Sequence, residues 1–142
     1  MNKHLLLILL GFVSLSAVAS EEILTLECKH IKTDFYDSKN NIKETKRNLS
    51  PKSIILDLEQ KTVTTGQGKR TFEERSIEVV WQYKDEMPKT EKFKAVTWYY
   101  NHSLDRVSGS YEIREAFCIE GRSQCSRQDD EYYTCSKKEE LF

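Results

Sequence analysis

The chain has 142 residues, of which 22 are basic and 23 acidic, for a formal net charge of −1. That balance excludes nucleic acid as the main partner, because phosphate binding requires a basic excess on one face, and it leaves no polybasic segment to hold anionic lipid. The length fits one typical domain behind a leader, and no repeat, low-complexity stretch or linker divides it.

Residues 1–19 read as a secretory signal peptide. Lys3 supplies the positive start, residues 5–13 are apolar apart from Gly11, and Ala17-Val18-Ala19 gives the small-x-small pattern that signal peptidase accepts. The apolar run is shorter than the roughly 20 residues of a comfortable membrane span. Cleavage is expected after Ala19, with Ser20 the second choice. Cys28 follows Glu27, well past the run, so the lipid-attachment pattern of bacterial lipoproteins is missing. No later segment is apolar enough to cross a bilayer. The expected product is a single exported domain, residues 20–142, periplasmic or secreted, with no membrane span in the mature chain.

Residues 23–29 predict a first strand with Leu24, Leu26 and Cys28 on one face. Residues 38–53 are polar and charged, with Ile42 and Leu49 their only aliphatic members, and predict a long loop with at most one helical turn. Residues 53–58 alternate, with Ile54, Leu56 and Leu58 inward. Thr62-Val63-Thr64-Thr65 is β-branched throughout and suits a pleated strand, and Gly66-Gln67-Gly68 turns the chain. In residues 76–83, Ile77, Val79, Trp81 and Tyr83 share one face and Ser76, Glu78, Val80 and Gln82 the other, the period of a half-buried strand. Pro88 marks a turn over 85–89. Residues 93–100 predict a strand that is apolar on both faces, broken by Asn101-His102-Ser103. Segments 104–107 and 110–117 flank Ser108-Gly109, a hairpin link because glycine accepts the positive φ such turns require. A polar loop over 118–130 and a last strand over 131–135 complete the chain. The pattern is all-β: a small antiparallel β-barrel or sandwich of six to eight strands.

Cys28, Cys118, Cys125 and Cys135 all fall in the exported part. An even count in an oxidising compartment predicts two disulfides, with three possible pairings. We favour Cys118–Cys125 as a local loop and Cys28–Cys135 as a clasp joining the two ends. Zinc is the competing reading, but there is no C-x-x-C pair, and His30 and His102 are the only histidines after the leader. No metal or other cofactor is expected.

Among the aromatic residues, Trp81 and Tyr83 belong to an aliphatic face and read as core. Trp98 and Tyr100 lie across their strand from Phe93, Ala95, Thr97 and Tyr99, and admit two readings: further packing, or a platform on which a ligand stacks. His102, between Asn101 and Ser103, reads as an exposed turn histidine. There is no G-x-S-x-G, H-E-x-x-H or phosphate-cradling glycine loop, so a non-enzymatic protein is expected. Asp34, Asp37 and Asn40-Asn41 do not match a calcium loop and read as solvated, as does the acidic run Gln128-Asp129-Asp130-Glu131.

Two stretches carry a resemblance. Ile55-Leu56-Asp57-Leu58 through Thr62-Val63-Thr64, together with Leu104-Asp105-Arg106-Val107-Ser108-Gly109-Ser110-Tyr111, is similar to small uncharacterised exported bacterial β-proteins. That likeness implies compartment and fold class and no activity. Ser108-Gly109-Ser110-Tyr111 resembles the S-G-x-x-Y loop of periplasmic lysozyme inhibitors, with one residue rather than two between glycine and tyrosine and without that family's lysine–glycine motif. Those inhibitors are disulfide-closed β-barrels whose serine and tyrosine enter the lysozyme cleft, so the likeness implies Ser108 and Tyr111 as contacts. The expectation is thus a non-enzymatic exported binding protein with a protein partner or a small-molecule or glycan ligand. Its candidate contacts are Trp98, Tyr100, Ser108 and Tyr111. The alternative is an inhibitor of a lysozyme or other cell-wall hydrolase, with an uncharacterised hydrolase behind it.

Overall fold

The computed structural model describes residues 23–138; the expected signal peptide and its cleavage site lie outside the described residues. Ten strands form: β1 (Ile23–Tyr36), β2 (Ile42–Lys46), β3 (Lys52–Asp57), β4 (Thr62–Thr65), β5 (Gly68–Thr71), β6 (Glu73–Arg75), β7 (Glu78–Met87), β8 (Val96–Asp105), β9 (Ser110–Ile119) and β10 (Ser126–Lys137). Every pairing is antiparallel. The all-β class is as expected; the count of ten corrects the expected six to eight.

The excess has a simple origin. β2 and β3 both run against β1, one beyond the other, with residues 47–51 looping out between them. β5 and β6 are likewise one continuous run interrupted at Phe72; β5 pairs with β4 and β6 with β7. The ten strands therefore make eight staves, each paired to the next along the chain, and β10 pairs back onto β1. The seam is drawn together where stave β5–β6 passes from one neighbour to the other. Phe72 sits at that step, only 7% exposed, with its N–H donating to the Lys61 carbonyl at 3.0 Å. The result is a nearly closed up-and-down barrel. At eight strands its interior is just wide enough for side chains to fill or for one small ligand to enter.

Four expectations about segments need correction. Residues 38–53 contain β2, whose members are all exposed and which is held by its ladder and by Thr45 Oγ1 donating to the buried Asp34 at 2.7 Å. The turn expected over 85–89 begins later, because the ladder to β8 continues to Met87. Asn101-His102-Ser103 does not break β8: period two persists, with His102 inward at 3% exposure. β10 starts at Ser126, inside the expected loop 118–130.

The lower half of the interior is a conventional core. Leu24, Leu26, Ile54, Leu56, Val63, Phe72, Val79 and Leu104 pack there. The Cys28–Cys135 disulfide joins directly opposed residues of β1 and β10, and Cys118–Cys125 closes the β9–β10 loop, the pairing favoured from sequence. Among the described residues no helix is long and apolar enough to cross a membrane.

Candidate functional site

Above the apolar core lies a layer of rings contributed by five consecutive staves. Trp81 of β7 stacks on His102 of β8 with centroids 4.9 Å apart. Tyr111 of β9 lies 5.6 Å from Trp81, Tyr133 of β10 lies 5.5 Å from Tyr111, and His30 of β1 meets Tyr133 edge-on at 5.2 Å. His102 Nδ1 and the Tyr111 hydroxyl share a hydrogen bond of 2.7 Å. Burial, then the positive charge of Lys52, lowers the His102 pKa to about 4, so the ring is neutral at physiological pH. Burial likewise pushes the Tyr111 phenol up. This layer is the floor of the upper half.

One step further along each strand the interior changes character. Two residues beyond Trp81 is Tyr83; two before His102 is Tyr100, directly opposite Tyr83 and with its ring 5.4 Å away. Two beyond Ile113 is Glu115, opposite Tyr100 on one side and Asp129 on the other. Glu131 lies two residues from Asp129, on the same face. These are the period-two positions that would carry leucine or valine if the upper half were core.

The three carboxyls differ in their surroundings. Glu131 accepts from Lys52 Nζ at 2.8 Å and from the Tyr133 hydroxyl. Burial opposes its ionisation, but these bonds outweigh burial together and hold its pKa below the usual carboxylate range. Asp129 is only 7% exposed, and its Oδ1 is sealed from solvent with no hydrogen-bond donor among the described residues. Burial first, then the charges of Glu131 and Asp130, push Asp129 up to about 6. Burial and the neighbouring charges of Asp129 and Glu131 push Glu115, which reaches solvent, up to about 7, against the opposing effects of the Tyr100 hydroxyl and Lys52. Around neutrality the pair is poised between one and two charges. Of the basic groups nearby, Lys52 is committed to Glu131, and Arg70 lies over the Tyr83 ring at 5.1 Å.

Asp130, next in sequence, shows what a satisfied carboxylate looks like in this protein. It points outward, fully buried, and takes hydrogen bonds from Arg127 and from the Tyr36 and Tyr132 hydroxyls, the latter two at 3.2 Å. The reading of Gln128-Asp129-Asp130-Glu131 as a solvated acidic run is therefore corrected: the residues alternate across β10 and both aspartates are buried. Asp34 is corrected in the same way, at 2% exposure beneath Lys32 and Thr45.

Of the four contacts proposed from sequence, Trp98 and Tyr100 lie on this upper interior face, with Trp98 opposite Phe117 and Asp85. Tyr111 belongs to the floor, 1% exposed. Ser108 is at the far end of the barrel, exposed in the β8–β9 turn, where its Oγ accepts from the Ser110 N–H. The structure thus brings Trp98 and Tyr100 together and separates both from Ser108. The turn letters have a structural cause: Asp105 accepts from the Val107 and Ser108 N–H groups, and Gly109, at φ +72°, fits against the Cys135 carbonyl. Glu115 and Asp129 were missed. Their signal is present, since each stands on an inward row, Tyr111-Ile113-Glu115-Phe117 and Asp129-Glu131-Tyr133-Cys135, where a charge breaks the apolar alternation.

Two recesses lie elsewhere. A groove of about 540 Å³ crosses the outer face of β6–β9, but four of its five charged residues pair with one another, Arg75 with Glu73 and Arg114 with Glu112. An apolar pocket of about 280 Å³ opens at the lower end between Leu24, Leu26, Leu104 and the β8–β9 turn. The chain matches no family model, no curated protein and no solved structure.

Proposed function

We propose that this protein is a non-enzymatic, exported binding barrel that receives a small ligand in its upper interior, between the Trp98–Tyr100 row and the Glu115–Asp129 pair. The observation that carries the reading is the buried Asp129 Oδ1, which no group among the described residues satisfies. An unpaired buried carboxylate oxygen costs free energy, which a bound donor recovers. Aromatic walls beside a few convergent polar groups are the usual lining of a small-molecule site. Two disulfides are compatible with a periplasmic or extracellular location.

A second reading has one observation in its favour. Carboxyls with divergent ionisation are what general acid–base hydrolysis requires, and Glu115 and Glu131 diverge in this way. Binding is the better account, because Glu131 is already engaged by Lys52 and Tyr133. A ligand screen read by protein-observed NMR separates the two. Binding predicts shift changes at Tyr83, Trp98 and Tyr100 without turnover, lost in Tyr100→Ala. Hydrolysis of a glycoside panel by the wild type, abolished in Glu115→Gln, would replace binding with catalysis.

A further inference from the structure

We infer that the ligand of the upper interior is an organic cation, held by its ammonium group on Glu115 and Asp129 with its apolar part against Tyr100 and Trp98. The inference rests on the binding reading above and names the chemistry it would recognise.

The donor set argues for it. A neutral hydroxyl ligand can donate to a carboxylate but leaves its charge uncompensated, and here the cross-strand partners Glu115 and Asp129 are both carboxyls, with Glu131 two residues on. Like charges directly opposite in a sheet are destabilising, and among the described residues the pair has no basic partner of its own: Lys52 bonds Glu131, and Arg114, next to Glu115 in sequence, is on the outer face with Glu112. What fits is a positive charge supplied from outside. Phenol and indole faces beside carboxylates are also the surroundings in which cation–π attraction adds to charge pairing. A metal ion is the lesser fit, since among the described residues no three His, Cys, Asp or Glu side chains converge to hold one. Glu115 reaches solvent and Asp129 is sealed, so the entering ammonium meets Glu115 first.

Cation uptake by a partly protonated pair must release a proton. The groups facing it are Tyr100 of β8, Tyr83 and Asp85 of β7, Glu131 of β10, His30 of β1, Lys52 of β3 and Arg70 of β5. Because the carboxyls ionise near neutrality in the free protein, amine affinity falls as pH drops below about 7 and more steeply below about 6, by up to tenfold per unit for each proton that must leave.

The test is calorimetric titration of the oxidised protein with tryptamine and spermidine, and with tryptophol, which replaces the tryptamine ammonium by a neutral hydroxyl, and maltose. The expected result is that at least one amine binds, that tryptamine binds at least tenfold tighter than tryptophol, and that binding at pH 6.5 releases protons, seen as a heat that differs between phosphate and the zwitterionic buffer ACES. Glu115→Gln and Asp129→Asn each lower amine affinity at least tenfold and reduce the proton release. Both variants remove repulsion, so melting temperatures at or above that of the wild type show that the loss is not unfolding. Tryptophol or maltose binding as well as or better than the amines, with dependence on Tyr100, overturns the cation inference and leaves the binding reading standing. No binding by any of the four probes at millimolar concentration overturns both.

Discussion

His102 and the Glu115–Asp129 pair give the protein two opposed pH dependences. His102 is neutral in the fold, with a pKa of about 4 against 6.5 in the unfolded chain. Its contribution is therefore full above pH 6.5 and lost as pH falls toward 4, about 3 kcal/mol in all. Glu115 and Asp129 act in the other direction. Their folded pKa values lie above the unfolded ones, so folding stability they allow at acid pH is lost as pH rises through about 6 and then 7. In chemical denaturation of the ligand-free protein, Glu115→Gln is expected to raise stability at pH 8 by about 1–2 kcal/mol, solvent contact at Glu115 damping the rest. The same variant should leave a curve that falls more plainly between pH 6.5 and 4. Unchanged stability at pH 8 would show that Glu115 is no more strained than a surface glutamate. At Gly109 the constraint is steric. A Cβ there would stand 2.3 Å from the Cys135 carbonyl oxygen at a positive φ, so Gly109→Ala should cost about 2 kcal/mol or more. An equal melting temperature would mean that the turn shifts freely.

At the scale of elements, the barrel depends on two closures. The first is β1 on β10, fastened by Cys28–Cys135, a bridge spanning 107 residues of sequence. In the loop-entropy model such a bridge contributes about 4–5 kcal/mol, against about 2–3 for the short Cys118–Cys125 loop. Replacing each pair by serine and measuring urea midpoints should reproduce that order. The second closure is Phe72, where one stave passes between β4 and β7; Phe72→Ala should cost about 3–5 kcal/mol. The sequence made the first closure legible, because four cysteines and a terminal strand at each end suggest a clasp. It hid the second. Gly68-Lys69-Arg70-Thr71 and Glu73-Glu74-Arg75 bear no apolar row, and only ladder bonds make them strands. β2 was hidden for the same reason. His102 was misread because its neighbours Asn101 and Ser103 are turn formers by composition, whereas between paired strands their outward side chains are simply the polar half of the alternation.

The whole molecule is a barrel with unlike halves: an apolar lower core, a layer of rings, and an upper interior whose inward rows turn aromatic and acidic. Trp98 and Tyr100 were legible as candidates because their strand is apolar on both faces. The meeting of their carboxyl neighbours was not, since Glu115 and Asp129 each break a local row but come together only through the β9–β10 register, which no local pattern encodes. The asymmetry is the central claim, and protein-observed NMR tests it most directly. Backbone and side-chain resonances of the oxidised protein are followed while a mixture of small aromatic amines, alcohols and sugars is added. The account predicts shift changes concentrated on Tyr83, Trp98, Tyr100, Glu115 and Asp129. Changes concentrated instead on the outer groove, at Glu78, Gln82, Asn101 and Arg114, or at the lower pocket around Leu24 and Ser108, would contradict it.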